Sequence, residues 1–471
     1  MTRLAPSVTI VIVSCLAGVA AGLAVGAGQG KWLAAGLIAL LFAAATWNRP
    51  ELAVGALVLV MPLFGDRAIV AVPALPDVTV GRALIGWTII VVGRAALDQR
   101  SQLAAVSRSR TYSDHERNTL AIWIFIFLAL MGFAAVRNPI MQAGIQGWLD
   151  SYLLPFALLL VMTRYRWPTR EIDTASITYL LACSLWSVLA LIESILGSSL
   201  FSSDGTLGWA SRGDALARTG GPFINPAFLG TALGIGIVLA WIYARRPARL
   251  RKIAIVTMPF IVIGLAVTQT RASWLGALAG IFAVLALTER RRLRLVATVA
   301  LGLAAGIIAL VMLLGATQFT DRATSTSEIF NRIIVQRAAV SLIGDHPVIG
   351  VGSGRFATLS RTDLRNVGDI SGSFGISTLV PHNTVLSTAV DGGLGAAIAL
   401  FVVFVLLVAA ALRMLRAAPR DRFAVAAVGT LTVFVVNAMF IDIFIGASLA
   451  ALSLTLIGIF LSPHPGTEQA P

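Results

Sequence analysis

"PHNTVLSTAVDGGLGAAIALFVVFVLLVAAAL", residues 381–412, opens on a proline, a histidine and an asparagine and continues as an apolar run. About 20 apolar residues of helix cross the hydrocarbon core of a bilayer, so this run is long enough to span one. Backbone groups in lipid must be bonded within the segment, which leaves only helices or a closed barrel. A continuous rather than alternating apolar pattern selects the helix. His382, one of only four histidines in the chain, stands where polar chain meets that helix.

The rest of the sequence follows the same pattern. Of its 471 residues, 57% are hydrophobic and 12% charged, and the mean hydropathy is +0.87. An ordinary soluble domain is about half apolar and a quarter charged. Apolar windows predict about fourteen spans, near residues 7–27, 31–47, 52–65, 82–97, 119–136, 152–163, 174–196, 223–244, 253–270, 273–288, 295–315, 384–412, 423–441 and 445–462. The third, sixth and tenth are short, which makes twelve the alternative count. The expected fold is therefore all-α, a polytopic integral membrane bundle of about 12 to 14 helices. Residues 1–200 form N-terminal membrane helices, 201–412 a core with an outward loop at 316–383, and 413–471 C-terminal helices with a short tail. The stretch from Met1 to about Gly28 reads as the first membrane helix rather than a cleaved leader.

The net charge is +14, but it is dispersed in short loops rather than gathered on one domain, which excludes a nucleic-acid partner. Placing alternate loops on opposite sides collects Arg3, Arg49, the Arg94 to Arg117 loop, "RYRWPTR" (164–170), "RRPARLRK" (245–252), "RRRLR" (290–294) and "RMLRAAPRDR" (413–422) on one side. The positive-inside rule makes that side cytoplasmic, with both termini inside. Cys15 and Cys183 both fall in apolar runs, so no disulfide framework is indicated.

Three segments then face outward: about 197–222, the turn around Gln269 to Ser273, and the loop at about 316–383. A loop that long is functional more often than it is a connector. Within it, Ile329, Ile333, Ile334, Arg337, Val340, Ser341 and Ile343 are spaced as on an amphipathic helix lying at the membrane surface. Arg271 sits between two spans with almost no loop around it, where it either snorkels or meets an anion. Arg218 precedes a Gly-Gly-Pro turn and, taken alone, reads as a solvated loop charge. Arg332 and Arg337, five apart, do not stack on one helical face. Gly350, Gly352 and Gly354 permit a tight turn or a backbone ligand cradle, and His346 beside Pro347 reads as structural. His382 has an ordinary pKa near 6.5, suited to taking a proton at neutral pH. Asn383 adds a neutral donor and acceptor for a sugar hydroxyl. The competing reading makes His382 a helix-start residue, a task Asn383 or Thr384 could perform.

Four stretches taken together resemble the O-antigen ligase and O-antigen polymerase superfamily of bacterial envelope glycosyltransferases. They are "RTGGPFINPAFLG" (218–230), "TQTRASWLGALAG" (268–280), "NRIIVQRAAVSLIGDHPVIGVGSGRF" (331–356) and "PHNTVLSTAVDGGLG" (381–395). The resemblance covers about residues 210–410. It implies a GT-C-like membrane transferase that needs neither metal nor cofactor. Its donor would be a glycan on undecaprenyl diphosphate and its surroundings membrane lipid; the acceptor is left open. Carried over residue by residue, it makes His382 and Arg271 catalytic and places Arg218, Arg332, Arg337 and Asn383 at the diphosphate or glycan. The polar, small stretch "STAVDGGLGA" departs from the family's usual leucine-rich continuation, leaving the roles of Asp391, Gly393 and Gly395 open. Ligase and repeat-unit polymerase remain alternatives within the superfamily. A lipid-linked-glycan flippase is the non-enzymatic alternative, for which Glu193 and Asp442 are the acidic candidates near span ends and for which no internal repeat is visible.

Overall fold

The computed structural model describes residues 39–65, 68–70, 77–103, 114–202, 217–245, 248–288, 327–365, 380–419 and 421–463. In chain order its main helices are α1 (Pro50–Phe64), α2 (Val80–Leu103), α3 (Asp114–Val136), α4 (Met141–Met162), α5 (Thr169–Leu196), α6 (Pro226–Tyr243), α7 (Ala248–Val267), α8 (Arg271–Thr288), α9 (Ser327–Asp345), α10 (Phe356–Arg365), α11 (Thr384–Ala417), α12 (Arg422–Ala438) and α13 (Ala447–Leu461). The only strands among the described residues are β1 (Ala68–Val70) and β2 (Val78–Thr79), a short antiparallel pair. Seven helices (α2, α3, α4, α5, α6, α7 and α11) are long and apolar enough to cross a membrane, and four shorter apolar helices accompany them.

The protein is thus an all-α, multi-pass membrane protein, with seven candidate spans and four shorter apolar helices among the described residues; the expected count of twelve to fourteen is not shown. The expected spans at 7–27 and 295–315, and the first eight residues of 31–47, lie outside the described residues. The sixth span is longer than expected. It begins at Met141, eleven residues before the predicted start, because Gly144, Gln146, Gly147 and Asp150 interrupt the apolar pattern without breaking the helix. A π-helical turn at Leu149–Leu153 leads into Pro155. Proline removes one backbone donor and crowds the preceding turn, and a π turn is a common adjustment inside a helix.

Burial grades inward to α6. Its membrane window is 89% buried, which fits a helix apolar on every side, and α5, α7, α8 and α12 surround it. On the other side of the bundle α11 packs against α3 and α12, and α13 against α4. One continuous apolar core runs through all of these helices.

The amphipathic helix expected in the long loop exists as α9, but its buried face is not the predicted stripe. Val335, Ala338, Ala339 and Leu342 turn inward, and Ile333, Arg337 and Val340 are exposed. Val335, Ala339 and Leu342 pack with Val351, Phe356 and Val390 into a second small core against the start of α11. Small alanines on one face let α9 approach its neighbour closely. The isoleucine pattern hid them.

α11 is two helices in one. Gly393 leaves helical geometry at φ 80° and ψ 175°, a conformation that only glycine adopts cheaply. The broken ladder is repaired from outside: Val351 N–H donates to Val390 O (2.8 Å), Gly352 N–H to Asp391 O (3.0 Å), and Leu394 N–H to Pro347 O (2.8 Å). This answers the open question about the glycines after Asp391: Gly393 marks a docking point for the 347–352 turn.

Candidate functional site

The quoted stretches meet at one end of the bundle. Arg218 reaches across to the turn between α7 and α8, donating from Nε to Thr268 O (3.2 Å) and from Nη2 to Thr270 Oγ1 (3.3 Å). That turn is three residues long and delivers Arg271, which is half-buried at the first position of α8. The two arginines expected to share a substrate are therefore neighbours.

The first turn of α8 is tied to the end of α12. Ser273 Oγ donates to Asn437 Oδ1 at 3.2 Å, and the Asn437 amide donates to Val433 O at 2.9 Å. The chain then turns through Met439 and Phe440, and this turn collects the remaining stretches. Asn383 Nδ2 donates to Met439 O (3.0 Å) and Arg332 Nη1 to Phe440 O (3.4 Å). Thr384 Oγ1 donates to Ile441 O (2.9 Å) and accepts from Ile443 N–H (3.1 Å). Arg218, Arg271, Arg332, His382 and Asn383 are thus connected through two short turns. Arg337 does not join them: it lies about 140° round α9 from Arg332 and is exposed.

The start of α11 separates two tasks that the sequence left together. Asn383 is the N-cap, its Oδ1 accepting from Leu386 N–H at 2.9 Å. With its amide on Met439 O as well, both ends of that side chain hold structure. His382, half-buried, is not the capping residue. It sits instead at φ 52°, in the left-handed region where histidine is enriched but still uncommon.

Two other non-glycine residues share that conformation among the described residues: Ile224 (φ 60°) and Gln269 (φ 49°). Each lies in another of the quoted stretches. For a β-branched isoleucine this is an outlier, and strained backbone of this kind persists where surrounding structure over-determines it, commonly at functional sites.

Sequence reasoning placed Glu193 and Asp442 near span ends but did not see the polar frame they build behind these residues. Glu193, 1% exposed, accepts from Leu200 N–H (2.7 Å), Ser199 Oγ (2.9 Å) and Thr219 Oγ1. Ser194 Oγ donates to Ala217 O at 2.7 Å. The end of α5 thereby fixes the two residues flanking Arg218. Asn437 was equally invisible as an isolated amide in an apolar run. Asp442 caps the next turn, accepting from Phe444 N–H at 3.3 Å. Burial pushes its carboxyl up to about 6, against the partial relief of the Ser387 hydroxyl and the Phe444 amide.

A helical, multi-pass membrane protein with arginines and a histidine brought to one end by four separated stretches defines the class. Residues 253–401 match the family model described as O-antigen ligase, so the chain carries an O-antigen ligase family domain. The match takes in Arg271, Arg332, Arg337, His382 and Asn383; Arg218 precedes it. No curated protein matches the chain.

Proposed function

We propose that this protein is a glycosyltransferase that moves a glycan from an undecaprenyl-diphosphate donor to an acceptor hydroxyl at the outer face of a bacterial cytoplasmic membrane. The observation that carries the reading is the junction of Arg218 with the turn that delivers Arg271, inside or beside the family match. The acceptor oxygen bonds to the anomeric carbon while the bond from that carbon to the diphosphate oxygen breaks, its electron pair leaving with the diphosphate. Charge therefore grows on phosphate oxygens, and guanidinium forks fixed in place are suited to stabilise it. The acceptor proton passes to the imidazole of His382, acting as the general base. Arg332, held on the 439–441 turn that also takes Asn383, extends the cationic lining toward the donor.

The basic loops support the orientation, since the positive-inside rule places them in the cytoplasm and the arginine turns outside. The isoprenoid tail then stays in lipid while its head group meets Arg271 at the helix mouth.

The test is transfer by the full-length protein in nanodiscs, from a polyprenyl-diphosphate glycan. Arg271→Ala and His382→Ala are each expected to lose at least a hundredfold in rate, in line with removal of a charge stabiliser or general base. Wild-type rates in both variants would refute the assignment. Surface glycan in a deletion strain separates the two kinds of transferase. Single attached units indicate a polymerase, whereas long lipid-linked glycan with none attached indicates a ligase.

A further inference from the structure

Beside the arginine turns lies a cavity of about 310 Å³ that the reaction described above does not use. It falls in the size range of small-molecule sites. Its walls come from α3, α4, the 353–357 turn, the start of α11 and the 442–445 turn. None of Arg218, Arg271 or Arg332 lines it. Pro381 does, one residue from His382. The segments 381–384 and 439–445 thus stand between the arginines on the α6 to α8 side and this cavity on the α3 to α4 side.

The lining has a consistent chemistry. Asp391 and Asp442 both face it, with Ser387 and the faces of Trp148, Tyr152 and Phe356. The Trp148 ring N–H is already spent on Leu128 O at 3.0 Å, so its contribution to the cavity is an apolar face. The Ser387 hydroxyl is the independent observation. It is 5% exposed and lies close enough to the Asp442 carboxyl to ease its ionisation, but that contact falls short of a well-formed hydrogen bond. A buried polar group left in this state calls for a ligand or water.

We propose that this cavity seats the sugar ring that receives the transferred glycan, a hydroxylated and non-anionic ring. This rests on the transferase reading above. Carboxylates accept hydrogen bonds from neighbouring ring hydroxyls, Ser387 supplies a donor and an acceptor, and the aromatic faces cover the C–H side of the ring. A diphosphate is the wrong occupant, because no arginine or lysine lines the cavity and its two carboxyls offer no countercharge. The division of charge therefore sorts the substrates: phosphate to the arginines, acceptor sugar to the aspartates, with His382 between them. A divalent cation would want more oxygen ligands than two carboxyls, and no group of three His, Cys, Asp or Glu forms among the described residues.

The experiment compares full-length variants by two readouts: glycan transfer in membranes of the deletion strain, which supply their own donor and acceptor, and binding of undecaprenyl diphosphate to purified protein in nanodiscs. Asp391→Asn, Ser387→Ala and the cavity-filling Gly147→Phe, whose added side chain meets open space at its root, form the test set. Transfer reduced more than tenfold in Asp391→Asn and Gly147→Phe, and severalfold in Ser387→Ala, with undecaprenyl diphosphate bound within twofold of wild type, supports the proposal. Wild-type transfer in all three overturns it. Loss of undecaprenyl diphosphate binding in a variant that elutes as a single folded species also overturns it, since the cavity would then hold the donor head. Chelator-sensitive transfer restored by magnesium in wild type, with Asp391→Asn indifferent to both, makes it a cation site and likewise overturns it. If wild type neither transfers glycan nor binds undecaprenyl diphosphate, the transferase reading itself fails, a result distinct from the others.

Discussion

The two ends of the bundle are both rich in arginine and are built on different principles. At the basic end, arginines close ion pairs between helices. Arg422 meets Asp173 at 2.7 Å, and Tyr243 shares that carboxylate; Arg413 meets Glu116 at 3.2 Å. Arg94 holds Trp47 O and Asn48 while covering the Trp47 ring, and Gln99 bonds Arg166 O. At the other end Arg218 and Arg332 bond carbonyl and hydroxyl oxygens of neighbouring turns, and the backbone adopts left-handed φ at Ile224, Gln269 and His382. The first end spends its charge on fixing helix against helix. The second holds Arg218 and Arg332 on neutral oxygens of its turns, beside an ion pair of its own between Arg82 and Asp150, and accepts backbone strain in the process. Position in sequence distinguishes neither kind of arginine; the partner does.

That contrast can be broken by swapping the readout. Arg271→Ala is expected to cut transfer a hundredfold or more with little change in thermal midpoint. Arg422→Ala should do the reverse, leaving transfer within about twofold while lowering stability by a few kcal/mol, because it strands the mostly buried Asp173 carboxylate. Parallel transfer assays and thermal unfolding in detergent check both, and a large activity loss in Arg422→Ala would erase the distinction. Next in size, Glu193→Ala removes the acceptor of three hydrogen bonds around the Arg218 loop and should cost about 2–3 kcal/mol, the usual effect of orphaning buried donors.

Helix after helix was legible because apolar runs announce themselves, and the resemblance picked out Arg218, Arg271 and His382. Three things were not legible. The polar first turns of α4 concealed the first half of a span, because glycines and an acid read as loop when their partners are unknown; Arg82, which holds Asp150 through two bonds of 2.6 Å, is 68 residues away in the chain. The alanine face of α9 lost to its isoleucines because stripes are scored by hydrophobicity, whereas close packing rewards smallness. And the division of labour between His382 and Asn383 depends on one backbone angle, which no spacing encodes.

Smaller effects sharpen the picture. Asn383→Ala should cost about 1 kcal/mol, the ordinary value of an N-cap, and leave His382 in place, so transfer should fall far less than in His382→Ala. A further expected effect is pH-dependent. The Asp442 carboxyl titrates near 6 when folded and about 3.9 when unfolded, so the folded state binds the extra proton and loses stability as pH rises from 4 to 6. Asp442→Asn should therefore raise the thermal midpoint by a few degrees at pH 7.5 and leave it unchanged at pH 4. An equal shift at both values would show that ionisation is not the cause.

The interruption at Gly393 bears on biogenesis. Its backbone partners, residues 347–352, leave the ribosome before α11 does, so they can already stand at the membrane surface when the later helix is threaded into the bilayer. Chain order thus spares the nascent helix an interval with open peptide groups in lipid. A circular permutation that synthesised 347–352 after α11 would remove that advantage while preserving every contact of the finished protein.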